Sequence, residues 1–291
     1  MFLSKDVLTR AGDPEIIDTT LMKYEEIAPA RPLARYIKCF WLLESAAFPS
    51  AGPERILPDG CTEIIFHLGD AFNQHKPDGA IKRQPLALLV GQMRRHILIE
   101  PTGRADVMGV RFWPGGAYPF LWFPQDEIAD RIIALEDVWG GIARALQSRI
   151  HDAAAGADRV RLMESVLLSR LNRRRDDTVL NATALILSAG GRLSIDTLTQ
   201  WIGIGSRRLD RTFNREVGFS PKTLCRIVRF QRAVKMLERG PNGPEWARIA
   251  IECGYYDQSH FIKEFKACSG KEPTSYFAGQ KVMSDHFIGN S

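Results

Sequence analysis

The sequence predicts a two-domain α+β chain: a β-rich barrel or sandwich with a helical extension, then an all-α domain. Three observations predict it. Short segments rich in β-branched and aromatic residues, bounded by Gly, Pro and Asp, fill the stretch from Tyr36 to about Phe123. Apolar residues recur at helical spacing from Gln125 onward. One helical-hairpin pattern then occurs twice after residue 177. A length of 291 residues suits two domains, each able to bury its own core.

The strand segments are YIKCFWLL, CTEIIFHL, LALLVGQM, HILIEP and ADVMGVRFW. Their spacing suits a small antiparallel barrel or sandwich. Pro58-Asp59-Gly60 reads as a tight turn, and Trp113-Pro114-Gly115-Gly116 as a break after the last long strand. Neighbours on a strand face opposite ways, so Arg111 and Phe112 cannot both point inward; which one does is open at this stage.

Ile128, Ile132, Ile133 and Leu135 start the helical pattern, and Ile142, Ala143, Leu146 and Ile150 continue it. After Ala153–Gly156 a third helix carries Val160, Met163, Val166, Leu167 and Leu171 on one face. That stripe fits packing on the barrel or dimerisation. Arg173–Asp177 reads as a linker. The expected divisions are 1–124, 125–176, 177–280 and a frayed tail, 281–291.

Composition narrows the function classes. With 45% hydrophobic and 25% charged residues, the chain has the make-up of an ordinary globular protein. Its five cysteines are scattered without a C-x-x-C pair, which argues for a reducing cytoplasm and against disulfides or zinc. No run reaches membrane-span length, and MFLSKDVLTR lacks the order of a signal peptide, so no membrane partner is expected. Of 39 basic and 34 acidic residues, 23 of each precede residue 177, so the whole excess of +5 belongs to the second part. A local positive excess favours a polyanionic partner.

The repeat is the most informative feature. Its first copy starts at Leu198 (LTQWIGIGSRRLDRTFNREVGFSPKTL) and its second at Ile249 (IAIECGYYDQSHFIKEFKACSGKEPTSY). In each, a short helix ends at Gly203 or Gly254, and a second helix carries an i, i+4 apolar pair, Leu209/Phe213 or Phe261/Phe265. Each copy closes on Gly and Pro, at Gly218/Pro221 and Gly270/Pro273. Such a hairpin is a helix-turn-helix, whose second helix leaves its polar face to solvent. Arginines there can fork onto guanine edges. The other expected helices are 182–188, 194–202 with Ser194 as N-cap, 221–238 with Pro221 in its first turn, and 245–253.

At Ile249-Ala250, Cys253-Gly254-Tyr255, Asp257-Gln258-Ser259, Phe261, Phe265-Lys266, Gly270 and Pro273 the sequence resembles the AraC/XylS family of transcriptional regulators, over about residues 180–279. The resemblance implies seven helices, two helix-turn-helix units and a long spacer helix. It implies double-stranded DNA as partner, met by Ser206, Arg207, Asp210 and Arg211 on one recognition helix and by Gln258, Ser259, His260, Ile262 and Lys263 on the other. Gly205 and Thr199 depart from the family pattern, which has Ser or Thr and Ala there. The spacer, 221–237, would run roughly 25 Å at about 1.5 Å per residue, on the scale of the roughly 34 Å between successive major-groove faces. A homodimer and a contact to RNA polymerase are further partners in keeping with such a regulator.

The first domain is similar to the sensor-like domains of a subgroup with the Pro58–Glu63 and Val110–Gly116 patterns. An effector pocket is expected from Trp41, Glu63, Phe66, Arg111 and Trp113. The alternative is a cupin-like metal-dependent enzyme domain fused to a DNA anchor. A cupin site wants an H-x-H pair, which is absent, leaving His67, His75 and His96 as its candidate ligands. No P-loop, dinucleotide fingerprint or G-x-S-x-G occurs, so no catalytic residue and no cofactor is expected.

Overall fold

The computed structural model describes residues 22–46, 52–172, 177–238 and 246–278. The leader reading, the linker arginines 173–175, residue 245 and the tail from 279 lie outside them. Among the described residues the first domain holds ten strands: β1 (Met22–Ile27), β2 (Ile37–Ser45), β3 (Glu54–Ile56), β4 (Thr62–His67), β5 (Asn73–His75), β6 (Ile81–Arg83), β7 (Ala87–Val90), β8 (Ile97–Glu100), β9 (Ala105–Phe112) and β10 (Ile132–Ala134). They form two open antiparallel sheets, ordered β1-β2-β9-β4-β7-β10 and β3-β8-β5-β6. The sandwich expectation is met; among the described residues there is no closed barrel.

Strand alternation divides the larger sheet cleanly. Phe40, Leu42, Ile64, Phe66, Met108, Val110 and Phe112 face one way, into a core shared with the helical extension. Trp41, Leu43, Ile65 and Val107 face the other way and pack with Phe72 and Ile99 beneath the smaller sheet. Trp41 lies opposite Gly109 in register, and its indole occupies the space that a Cβ on Gly109 would need.

The extension comprises the short helices α1 (Tyr118–Leu121) and α2 (Glu136–Trp139), then α3 (Gly141–Asp152) and α4 (Gly156–Arg170). Val160, Met163 and Leu167 of α4 are buried in the sheet's core, with Val166 and Leu171 packed against it. The stripe on α4 is therefore covered by its own domain, which accounts for it without a dimer. Arg159 clamps α4 to β9 through a two-pronged pair with Asp106, 2.8 and 3.3 Å. One expectation is corrected: Ile128–Leu135 is not a helix. Residues Gln125–Glu127 form a 3-10 turn, and Ile132–Ala134 pairs as an edge strand with β7. Three consecutive apolar residues fit either structure, and the pairing partner lies some forty positions earlier.

The second domain contains α5 (Thr178–Ser188), α6 (Ile195–Ile202), α7 (Ser206–Val217), α8 (Pro221–Glu238), α9 (Trp246–Cys253), α10 (Gln258–Ser269) and α11 (Pro273–Phe277). Among the described residues these are the seven helices that the resemblance implies. Ser194 caps α6 as expected, its Oγ accepting from Thr197 N at 3.0 Å. Gly203 and Gly254 both end their helices in the left-handed region. Two cores result. Leu198, Leu209, Phe213, Val217, Leu224 and Ile227 build the first, around α5–α8. Phe230, Ile249, Cys253, Phe261, Phe265, Cys268 and Tyr276 build the second, around α8–α11. The helix α8 contributes to both, so it fixes one helix-turn-helix unit against the other.

Candidate nucleic-acid interface and adjoining cavity

On α7 the buried side is Leu209, Phe213 and Val217, and this leaves Ser206, Arg207, Arg208, Asp210 and Arg211 exposed. Among the described residues none of those three guanidinium groups makes a salt bridge, so Asp210 does not hold Arg207 or Arg211. The helix has no side-chain cap, because Gly205 stands at that place. Its first two turns thus offer free N–H groups and three cations to one patch, a combination suited to phosphate.

The equivalent helix, α10, is built differently. Asp257 caps it, Oδ1 accepting from His260 N at 2.7 Å. Gln258, Ser259 and Lys263 are exposed. His260 is engaged within its own unit: its Nε2 lies 3.3 Å from Glu264, and its ring meets Tyr255 edge-on. Ile262 packs partly against the unit's core and is only half exposed. Of the five expected contact residues here, three stand clear of their neighbours.

Arg208 and Tyr256 were missed in the sequence. Arg208 is exposed beside Arg207, and Tyr256, 91% exposed, stands in the turn ahead of α10. Arg208 could have been found by laying out the first turn of α7, where Leu209 is the only apolar position. Tyr256 had no such signal, because turn residues follow no periodicity.

The first domain grips the opposite ends of both recognition helices. At the end of α10, His96 N donates to the carbonyl of Cys268 at 2.7 Å, and the Arg55 guanidinium donates to the carbonyl of Ser269 at 2.6 Å. These satisfy carbonyls that a helix end leaves unpaired, and a cation there suits the helix dipole. At the end of α7, Gly218 abuts Gln92 and Gln125, and Arg215 lies over the ring of Tyr118 at 5.9 Å. One segment, 92–96, therefore touches both helix ends. A second contact reaches the spacer: Gln231 Nε2 donates to the carbonyl of Pro58 at 2.7 Å, and Gly60 sits against Leu224 and Ile227. Leu57 is buried in the core of the second unit.

Between the two sheets lies a cavity of about 100 Å³, lined by residues of both sheets and by Gln231 of α8. Trp41, Glu63 and Arg111 line it, as expected. Phe66 and Trp113 do not. Phe66 sits on the far face of β4, in the helix-side core, and Trp113 lies beyond the end of β9 beside Lys38. The open question at Arg111 and Phe112 is answered: Arg111 faces the cavity and Phe112 the helices.

Arg111, 4% exposed at its side chain, forms an ion pair with Glu63 and lies 3.7 Å from Asp59. Burial works against its charge, but the two carboxylates more than offset this and keep it protonated. Burial pushes the Glu63 carboxyl up, with Arg111 opposing. His67 lies on the same face of β4, its Nε2 3.0 Å from Gln84 Oε1, and burial drops its pKa to about 4. The three histidines do not converge. His75 pairs with Glu100 at 2.8 Å, and His96 belongs to the α10 contact. Among the described residues no group of three or more His, Cys, Asp and Glu is placed to hold a metal. No described helix is long and apolar enough to cross a membrane.

Comparison with known proteins bears on both domains. Residues 25–134 match a family model described as a domain of unknown function (DUF6597), and residues 198–279 match one described as a helix-turn-helix domain. An uncharacterized HTH-type transcriptional regulator of Haemophilus influenzae is 28% identical over 115 residues, 40% of this chain and 37% of that protein. The aligned stretch thus spans little more than a third of that relative's length. Among solved structures, ToxT of Vibrio cholerae is 10% identical with a TM-score of 0.43, over 89% of this chain and 98% of that one. The C-terminal domain of AraT, a response regulator of Geobacillus stearothermophilus, is 22% identical with a TM-score of 0.34, over 38% and 90%.

Proposed function

We propose that this chain, whose C-terminal helix-turn-helix domain resembles that of the AraC/XylS family, is a sequence-specific DNA-binding regulator of transcription. It acts in the cytoplasm, with α7 and α10 entering two successive major-groove segments of one duplex. The observation that carries this reading is the polarity of the two recognition helices. Their N-terminal turns are exposed and carry Arg207, Arg208, Arg211 and Lys263, while the first domain's contacts fall at their C-terminal ends. Phosphate contacts would supply most of the affinity and make it salt-dependent, and the side chains of the two exposed turns would supply the preference for sequence.

The same reading gives the first domain a role. A ligand between the sheets would bias DNA binding only by binding two arrangements of the domains unequally. The cavity wall includes Met93, within the segment that grips both recognition helices, Gly91 and Ile97 on either side of that segment, and Pro58 and Asp59 of the turn that seats on α8. Occupancy can therefore reach the spacing of the two helices through contacts already in place.

The test is binding of the full chain to duplexes selected from a random pool. Arg211→Ala with Lys263→Ala should abolish site-selective binding, each change costing about 1–3 kcal/mol at a base contact or lowering the salt slope by about 1 at a phosphate. Undiminished selective binding by that double variant would end the reading.

A further inference from the structure

The cavity between the sheets has a chemistry that narrows what can occupy it. At one end two carboxylates, Glu63 and Asp59, surround a single guanidinium, Arg111. Asp59 also receives Cys61 N at 2.9 Å, which holds it in the turn. At the other end His67 is 4% exposed, and its Nδ1 is buried without a hydrogen-bond partner among the described residues. With Nε2 directed at the carbonyl oxygen of Gln84, Nε2 carries the proton and Nδ1 is left a bare acceptor. One end therefore presents two carboxylates around a paired cation, and the other a bare acceptor. A strand rise of about 3.3 Å sets Glu63 and His67 roughly 13 Å apart, so a small ligand satisfies one end at a time. Between them the walls are apolar, with Leu43, Ile65, Ile99 and Val107.

Size sets a second limit. A volume of about 100 Å³ is smaller than the roughly 150 Å³ of an engineered cavity that takes benzene. A ligand of this cavity is a handful of heavy atoms unless the sheets part.

We propose that the effector cavity takes a compact apolar molecule bearing a hydrogen-bond-donating cation, a small primary amine, and excludes the matching carboxylate. This rests on the reading of the first domain as a sensor. An ammonium group has Glu63 and Asp59 as partners and leaves the Arg111 pair in place. A carboxylate has to displace Glu63 from the buried Arg111 and then lie beside two other anions, Glu63 and the half-exposed Asp59.

The experiment needs three probes of one shape: isobutylamine, isobutanol and isobutyrate. Binding to the full chain is read by saturation-transfer NMR and by thermal shift at matched concentration. The amine should bind at least tenfold more tightly than the carboxylate, with the alcohol between them, and should raise Tm while isobutyrate leaves it unchanged. Glu63→Gln should weaken the amine about tenfold, and His67→Phe, at the other end, should leave the order of the probes intact. Because Glu63→Gln leaves Arg111 less well paired and can cost stability, the comparison of probes on the unaltered chain decides the matter. Tighter binding of isobutyrate overturns the amine class while leaving a ligand cavity. Binding of none of the three overturns the amine proposal alone, and the sensor reading then stands or falls on whether Gln231→Ala, at the cavity wall on α8, changes DNA affinity.

Discussion

The two helix-turn-helix units share a sequence pattern and differ in how they are built. The first has a largely aliphatic core with two separate rings, Phe213 and Phe219, and an uncapped recognition helix whose first turns carry three cations. The second has an aromatic core, with Phe265 meeting Phe230, Phe261 and Tyr276 edge-on at 5.2–5.7 Å, and a recognition helix capped by Asp257. Its first turns carry one exposed cation, Lys263. The difference separates two duties that the repeat alone suggests are shared. On the proposed reading the first unit concentrates charge for the duplex, and the second is the better-anchored body.

The sharpest way to break the comparison is through the cores. Phe265→Ala should cost about 4–5 kcal/mol in urea unfolding and Phe213→Ala about 3, since the first also removes edge-on ring contacts. Equal losses would mean that the rings add nothing beyond their area.

Charge comes next. Arg207→Ala with Arg211→Ala should lower affinity for a selected duplex by at least a hundredfold, and Lys263→Ala by about tenfold, measured at one salt concentration. A larger loss from Lys263→Ala would reverse the division of labour.

Acid should separate the two docking points. At the end of α10, burial first and the Arg55 charge second lower the His96 pKa from its ordinary 6.5 to about 4. The folded chain thus resists a proton that the unfolded chain accepts. The contribution of this group to stability is complete above pH 6.5 and declines as pH falls toward 4. The contact on α7 rests on the side chain of Gln92 and the backbone carbonyl of Gln125, which do not titrate. His96→Leu should flatten the acid limb of a Tm-versus-pH curve, whereas Gln92→Leu should leave its shape unchanged.

The smallest effects lie at the caps. Asp257→Ala should cost about 1 kcal/mol, and Gly205→Ser should gain a few tenths by supplying the missing cap. A Cβ at Gly205 meets nothing within 4 Å, so space does not oppose the change. A loss of DNA affinity in Gly205→Ser would show that the uncapped N–H groups serve the duplex.

The sequence by itself determined the second domain almost completely. Its signals are local: an i, i+4 apolar pair, a glycine in the left-handed region, a cap at Ser194 and a proline at the head of α8 all act within a turn or two of chain. Five of the ten described strands, β2, β4, β7, β8 and β9, were legible by the same kind of signal, while β1 (Met22–Ile27) went unread. The three-residue strands β3, β5 and β6 were not, because three residues hold too little alternation to read, and β10 was misread because its identity depends on β7. Tertiary structure alone decided which face of β4 and β9 meets the cavity, sending Phe66 away from it and Arg111 into it. It alone brought Arg55 and His96 to the end of α10 and Pro58 to α8, across separations of more than 170 residues. Periodicity tells each element which side is apolar. It does not tell one domain where on another its polar groups will find partners.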